Sequence, residues 1–220
     1  MKNIFLILIL LLGKCVTAQN LDNVSNTGML VYTKSETPDE FTGSPYVEKD
    51  FTEGRILDVD KDKYQTAYLK YNAIEDVVEI KLSSKDTKVH ILPKLKNIQY
   101  DLGTYKYIID NFKLEEGGYL EGYFLDYFSN DKIRFLAYPE GDLEPAIIGK
   151  GYKKSKPAHL SIEYTYFIQK DGGPLEEVKL KQKDFKKMFS NEEVIQSYLD
   201  DNKIKDEMDV VEMLKYYFNH

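Results

Sequence analysis

Acidic side chains are the groups most able to do chemistry in this sequence, which contains 37 Asp and Glu against 30 Lys and Arg. Glu121 and Asp126 lie five positions apart among aromatic residues, so a straight strand would direct them to opposite faces. Glu163 alternates with Ser161 and Thr165, as on a solvent-facing strand. A glycosidase needs two carboxyl groups that face each other, one of them with a raised pKa. The spacing therefore favours surface charge, and a carboxylate-dependent hydrolase of envelope or dietary polymer is kept as an alternative function.

One short motif suggests metal binding, but it lacks two residues that a complete site requires. The acids of Asp58-Val59-Asp60-Lys61-Asp62 alternate as at the start of an EF-hand loop. However, Lys63 occupies the position of the required glycine, and Leu69 occupies that of the bidentate glutamate. His90, His159 and His220 do not lie at metal-ligand spacing. We expect a charged turn here, with no metal and no cofactor.

A basic segment, GKGYKKSKP from Gly149 to Pro157, resembles a phosphate-binding loop only superficially. Glu144 stands where a P-loop needs its first glycine, and Gly151 replaces the Ser or Thr that would hold magnesium. Lys154 occupies the third glycine position of a dinucleotide fingerprint. We expect a solvated loop, which is the one stretch of this acidic chain suited to an anion such as the phosphate of lipopolysaccharide.

Tyrosine is the most distinctive residue type of this sequence, which contains 18 Tyr and no Trp. Alternation puts Tyr119, Tyr123 and Tyr127 on one face of a strand, with Leu120, Phe124 and Phe128 on the other, and it puts Tyr164 and Tyr166 on one face of a later strand. Aromatic residues on both faces predict a central strand that is buried on both sides. The sharper hypothesis is that a tyrosine row contacts a glycan, peptide or lipid. The candidate binding residues are Tyr119, Tyr123, Tyr127, Tyr164 and Tyr166.

The N-terminus has the pattern of an export signal. Lys2 precedes an apolar run from Ile4 to Leu12 that is short for a membrane span, and Val16-Thr17-Ala18 fits a peptidase site. We expect a signal peptide over residues 1–18, and an uncleaved anchor is less favoured. A lipid on Cys15 is also less favoured, because Lys14 precedes that cysteine where a small uncharged residue is needed. Cys15 is the single cysteine, so the exported chain would contain no disulfide and no thiolate.

Composition limits the partners of the chain. A net charge of −7 is unsuited to coating nucleic acid, whose phosphates need clustered positive charge. No later segment is apolar enough to span a membrane. The helical C-terminus predicted below does not resemble a β-type sorting domain, which favours the periplasm over full secretion.

Hydrophobic patterning divides the chain into four parts. After the signal peptide we expect a loose leader over residues 19–45 with one strand near Met29–Tyr32, an antiparallel β domain over 46–182, and a helical segment over 183–220 packed on it. Predicted strands are 55–59, 64–82 as a hairpin turning at Asn72–Asp76, 88–92, 97–101, 104–111, 119–128, 133–138, 160–170 and 176–181. The absence of long helical patterns between strands indicates an antiparallel sheet. The predicted fold is mainly β (α+β): a curved antiparallel sheet, open barrel or sandwich, with two or three C-terminal helices.

The predicted helices begin at identifiable residues. A short turn of helix is expected from Asp184 to Phe189. Ser190 and Glu193 fit a capping box for a helix that ends near Leu199, and Asp206 can cap another. In that last helix Met208, Val211, Leu214 and Phe218 share one face, which is expected to pack on the sheet.

Several segments resemble exported proteins of Bacteroidota-type Gram-negative bacteria that have no assigned function. They are GSPYVEKDF, AYLKYNAIEDVVEIKL, TYFIQKDGG, and the C-terminal VIQSYLDDNKI and DVVEMLKYYF. This resemblance implies residence in the cell envelope and a β-rich body with a helical tail, and it supplies no catalytic residue. The leading functional prediction is a non-enzymatic envelope protein that binds or scaffolds an unknown protein, glycan or lipid. A carrier of a small apolar ligand is the third possibility.

Overall fold

Eleven strands and three helices follow one another in the computed structural model, which describes residues 41–149, 152 and 154–220. The expected signal peptide and the strand near Met29 lie outside the described residues. The strands are β1 Phe41–Gly43, β2 Thr52–Asp58, β3 Lys63–Asn72, β4 Val77–Lys81, β5 His90–Ile91, β6 Ile98–Asp101, β7 Lys106–Lys113, β8 Tyr119–Ser129, β9 Ile133–Glu144, β10 Ala158–Lys170 and β11 Leu175–Val178. The helices are α1 Gln182–Met188, α2 Glu193–Asp201 and α3 Glu207–Asn219.

One open sheet contains all of these strands. Its order is β1-β10-β9-β8-β7-β6-β2-β3-β4-β5, with β11 also paired to β10. Every pairing is antiparallel except that of β1 with β10. The predicted fold class, a mainly β chain with a curved antiparallel sheet and C-terminal helices, is therefore confirmed.

The hairpin of β3 and β4 shows how local sequence fixes this architecture. Ala67, Leu69 and Tyr71 alternate inward and are almost fully buried. Asn72 then turns the chain, because its side-chain oxygen accepts the N–H groups of Ile74 and Glu75, both at 3.1 Å. The predicted turn at Asn72–Asp76 is confirmed.

Two apolar cores lie on opposite faces of the central strands. The inner face carries a tyrosine-rich core, in which Tyr71, Tyr100, Tyr107 and Tyr123 are each exposed by 1% or less. The outer face carries a second core of Ile108, Phe112, Phe124, Leu136, Phe167 and Leu175. Because Tyr123 and the adjacent Phe124 enter different cores, β8 is buried on both sides, as its aromatic pattern predicts.

A bulge at Tyr127 changes the predicted grouping of side chains on β8. Asp126 pairs with Leu136 and Phe128 with Phe135, so Tyr127 is the extra residue. A bulge re-aims the side chains that follow it. Phe128, predicted to share a face with Phe124, instead packs with the helices.

The sheet curls strongly enough for distant strands to meet. The rings of Tyr71 on β3 and Tyr107 on β7 stack with centroids 4.9 Å apart, although β2 and β6 lie between those strands. Residues 44–47 connect the two sides of the curl. The N–H of Ser44 donates to Leu160 at 3.2 Å, and that of Val47 donates to Tyr71 at 3.1 Å.

The C-terminal helices cover one end of the inner face. Phe185, Leu199 and Leu214 are fully buried against sheet residues that include Phe135 and Ile168. The predicted stripe on α3 is partly wrong: Val210, Val211, Met213 and Leu214 are buried, whereas Met208 and Phe218 are 41% and 37% exposed. Met208 lies in the first turn of the helix. Phe218 lies in the last turn, where its ring still stacks on Phe128 of β8 with centroids 5.9 Å apart.

Helix capping differs from the prediction at one of two sites. The Asp206 side chain accepts a hydrogen bond from the N–H of Asp209 at 3.1 Å, and the Asp209 side chain accepts one from the N–H of Asp206. These reciprocal bonds make a capping box. The predicted box at Ser190 does not form, because α2 begins at Glu193 after Glu192, and no side chain caps it.

Candidate functional site

Within the described residues, the outer edge of β10 has no strand partner over its middle. β1 pairs with Ala158–Leu160 and β11 with Tyr166–Gln169, so in the described part of the chain Ser161–Thr165 pairs only with β9. This open edge spans about 17 Å at 3.3 Å per residue. Glu163 and Tyr164 are its most exposed residues.

Backbone direction identifies the groups at the open edge. The carbonyl of Leu160 accepts a hydrogen bond from Ser44, on the side of β10 opposite β9. Alternate residues of an antiparallel strand direct their N–H and C=O groups to the same side, so those of Ile162 and Tyr164 also point away from β9. Pro139 agrees with this assignment, because it stands opposite Tyr164 and has no N–H to donate.

An aromatic row lies beside this edge on the inner face; it consists of Tyr164, Tyr166, Phe135, Tyr127 and Tyr105. Successive ring centroids are 6.3, 6.1, 5.6 and 5.4 Å apart. Tyr105 continues through Tyr107 into the tyrosine-rich core at 5.5 Å. At the other end Tyr164 is 36% exposed, so the row connects the core to the surface.

Two carboxylates accept the hydroxyls of three tyrosines in this region. Glu48 is 8% exposed, and its Oε1 accepts the hydroxyls of Tyr105 and Tyr107, each at 2.6 Å. Its Oε2 accepts the N–H of Tyr71 at 2.7 Å. Glu207, the first residue of α3, accepts the hydroxyl of Tyr166. In the described residues neither carboxylate forms an ion pair with Lys or Arg.

The tyrosine hydroxyls near this edge remain protonated donors. Burial, followed by the charges of Glu48 and Glu207, raises the pKa of Tyr164 to about 12. Burial is also the largest cause that raises the pKa of Tyr127, followed by the charge of Glu207. No hydrogen-bond partner for these two hydroxyls lies within the described residues, so both can bind an acceptor on a ligand.

The five tyrosines predicted as binding residues separate into three environments. Tyr127, Tyr164 and Tyr166 lie together in the aromatic row. Tyr123 is 1% exposed and belongs to the core, where its ring packs on Tyr71 and Tyr100. Tyr119 is 71% exposed at the start of β8, with no ring contact to the row in the described residues.

The acids considered for catalysis are separated by the fold. Glu121 is exposed, whereas Asp126 accepts the hydroxyl of Ser129 at 2.7 Å and pairs with Arg134 at 3.6 Å. Glu163 is exposed opposite Glu140 on β9. Within the described residues, no group of three or more His, Cys, Asp or Glu side chains could hold a metal ion. No helix in that part of the chain is long and apolar enough to cross a membrane.

Sequence reasoning missed Glu48, Glu207 and Tyr105. Glu48 lies in an irregular segment, and its tyrosine partners are 57 and 59 positions away. Glu207 reads as an ordinary acid in the first turn of a helix. The one local signal for Tyr105 was its alternation with Tyr107.

Comparisons of the chain with protein-family models, curated proteins and solved structures give no match. The resemblance to exported envelope proteins therefore remains a prediction from the sequence segments quoted above.

Proposed function

We propose that this protein is an exported, non-enzymatic binding module of the cell envelope that takes an extended segment of a partner polypeptide along the open edge of β10. The N-terminal pattern supports export, and the helical C-terminus favours the periplasm over full secretion. The observation that carries the binding role is the backbone of Ile162 and Tyr164, which no strand of the described residues pairs on the side away from β9. An added strand would satisfy these groups, because strand addition uses main-chain hydrogen bonds for affinity.

Natural proteins usually protect an open sheet edge, and β1 and β11 do so on either side of this one. The remaining gap is long enough for a short strand, and it is flanked by the exposed ring of Tyr164. A solid tyrosine-filled core supports partner binding over a carrier role, since the inner face is occupied by the protein's own side chains.

Charge around the edge favours a basic partner segment. On the outer face Glu163 stands directly opposite Glu140, and Asp142 stands opposite Ser161; all three acids are exposed. Like charges directly opposite each other on a sheet are destabilising, so a cation that approaches both would be favoured. On the inner face the hydroxyls of Tyr127 and Tyr164 offer donors. Side chains of an added strand alternate between these two faces.

Amide hydrogen exchange tests whether the edge is open. In the free chain the N–H groups of Ile162 and Tyr164 should exchange quickly, whereas Glu163 and Thr165, which face β9, should be protected. The two kinds of amide alternate on one strand, so each serves as a control for the other. Slow exchange at Ile162 and Tyr164 in the free chain would show that the edge is already covered, for example by the chain's own residues 29–32, and would contradict the proposal.

A displayed library of random extended peptides tests the binding itself. We expect enrichment of Lys- and Arg-containing peptides that protect the amides of Ile162 and Tyr164 when bound. Glu163→Lys should weaken their binding, because it reverses the charge beside the edge. Glu177→Lys, on β11, is the control for a general charge effect. Enriched peptides that protect other amides, or that bind E163K unchanged, would refute the assignment.

A further inference from the structure

We propose that the loop between β9 and β10 docks this protein on an anionic lipid surface. This inference concerns a second surface and does not depend on peptide binding at the β10 edge. Its first support is exposure of apolar side chains: Ile147 is 58% exposed, Ile148 is 82% exposed, and Tyr152 is fully exposed. Contiguous exposed apolar residues on a soluble domain mark an interaction site more often than isolated ones do.

The base of this loop is an ordered hairpin. Ile147 and Lys156 exchange two backbone hydrogen bonds, each 2.9 Å long. The N–H of Gly149 donates to the Ser155 hydroxyl at 3.1 Å. Residues directly opposite in an antiparallel pair place their side chains on the same side, so the apolar Ile147 and the cationic Lys156 share a face.

The charge of the loop selects an anionic partner. Lys154 and Lys156 are exposed, and the sequence has no acid between Glu144 and Glu163, although the whole chain carries a net charge of −7. Lysines beside an exposed apolar tip fit a bilayer interface, where the lysines meet anionic headgroups and the apolar side chains enter the acyl boundary. A nucleic acid or free phosphate would leave Ile148 and Tyr152 without a role.

The absence of tryptophan from the sequence makes a site-specific test possible. Tyr152→Trp introduces a single tryptophan at the loop, and Tyr64→Trp introduces one at a 66% exposed position on β3. With phosphatidylglycerol vesicles, the emission of Y152W should shift to shorter wavelength and be quenched by bromolipids. Phosphatidylcholine vesicles should produce no shift, and neither lipid should shift Y64W. The N-terminal apolar run is identical in both variants, so its own partitioning cannot produce this difference.

Additional substitutions in the Y152W variant separate the electrostatic contribution to vesicle binding from the apolar contribution. Lys154→Gln with Lys156→Gln should weaken binding to the anionic vesicles by about 30-fold. A higher salt concentration should also weaken binding, because it screens the same attraction. Ile148→Ser should weaken it by about tenfold through lost apolar burial. Lys85→Gln with Lys88→Gln, in the loop after β4, is the charge-matched control and should leave binding unchanged.

Three results would overturn the proposal: an unshifted Y152W emission with anionic vesicles, equal affinity for the two lipids, or undiminished binding after the Lys154 and Lys156 substitutions. Because all of these side chains are exposed, the variants should keep the fold, which circular dichroism of each variant checks.

Discussion

At the scale of single residues, Glu48 is a buried carboxylate that, within the described part of the chain, is held by hydrogen-bond donors and forms no ion pair with Lys or Arg. Two tyrosine hydroxyls and one backbone N–H reach it at 2.6 to 2.7 Å. Hydrogen bonds to an ionised acceptor are about twice as strong as neutral ones. Because these donors come from β3, β7 and the residue before β7, Glu48 joins the segment that precedes β2 to distant parts of the sheet.

Glu48→Ala is therefore expected to lower the free energy of unfolding by about 3 kcal/mol, since the Tyr105 and Tyr107 hydroxyls lose a buried acceptor. Glu48→Gln should cost less, because its carbonyl oxygen can still accept. Chemical denaturation measures both changes. Glu53→Ala is the control, since Glu53 is exposed and should stay within about 0.5 kcal/mol of the parent. Equal stability of E48A and E53A would contradict the structural role of Glu48.

At the scale of elements, the two longer helices begin in different ways. α3 is held by reciprocal bonds between Asp206 and Asp209, whereas α2 starts without a side-chain cap. A helix start leaves backbone N–H groups that require partners. The stability of α3 should consequently depend on its cap, and that of α2 should depend on packing of Ile195 and Leu199.

Asp206→Ala is expected to cost about 1 kcal/mol, the usual effect of losing an N-cap side chain. Ser190→Ala should have almost no effect, although the sequence resembles a capping box there. Thermal unfolding of the two variants distinguishes the helix starts. A larger loss in S190A than in D206A would mean that α2, and not α3, is capped by its side chain.

Local pattern predicted those elements whose partners are near in sequence. The β3–β4 hairpin was recoverable because Asn72 makes its turn bonds within three residues and Ala67, Leu69 and Tyr71 alternate. The aromatic row was only partly recoverable, because the bulge at Tyr127 and the bonds of Glu48 depend on strands far away in the chain. The open edge of β10 could not be predicted from the sequence, because it depends on where the pairing of β1 and β11 with β10 ends.

At the scale of the whole molecule, β9 closely approaches the β3–β4 turn. A Cβ atom on Gly141 would lie 2.8 Å from the backbone carbon and oxygen of Ala73. Such a separation is shorter than a van der Waals contact, so glycine is required by space rather than by its dihedral angles. The contact involves the inner core directly, since Ala73 belongs to the same buried cluster as Tyr71 and Tyr123.

Gly141→Ala is expected to lower stability by about 2 kcal/mol through overpacking against backbone that cannot rotate away. Gly103→Ala is the comparison: its φ of +87° makes any side chain strained, but the added methyl meets open space. G103A should therefore cost only about 1 kcal/mol. Equal denaturation midpoints for G141A and the parent would show that β9 and the turn are not in contact.

The tyrosine-rich core should make the whole molecule sensitive to alkali. Burial raises the pKa of Tyr100 to about 12, and burial is also the first cause that raises the pKa of Tyr71, Tyr107 and Tyr123. The unfolded chain releases these protons near pH 10, whereas the folded chain retains them. Because the native state then binds more protons, stability is unaffected below about pH 10 and falls above it.

At about pH 11 each such tyrosine should cost about 1.4 kcal/mol, so the four together approach the stability of a typical domain. The four buried tyrosines should ionise in one cooperative step that coincides with loss of the circular dichroism signal. Tyr100→Phe should move this step to higher pH, and Tyr64→Phe should leave it unchanged. A single smooth titration of all tyrosines, with the fold intact, would mean that the inner face is open to solvent.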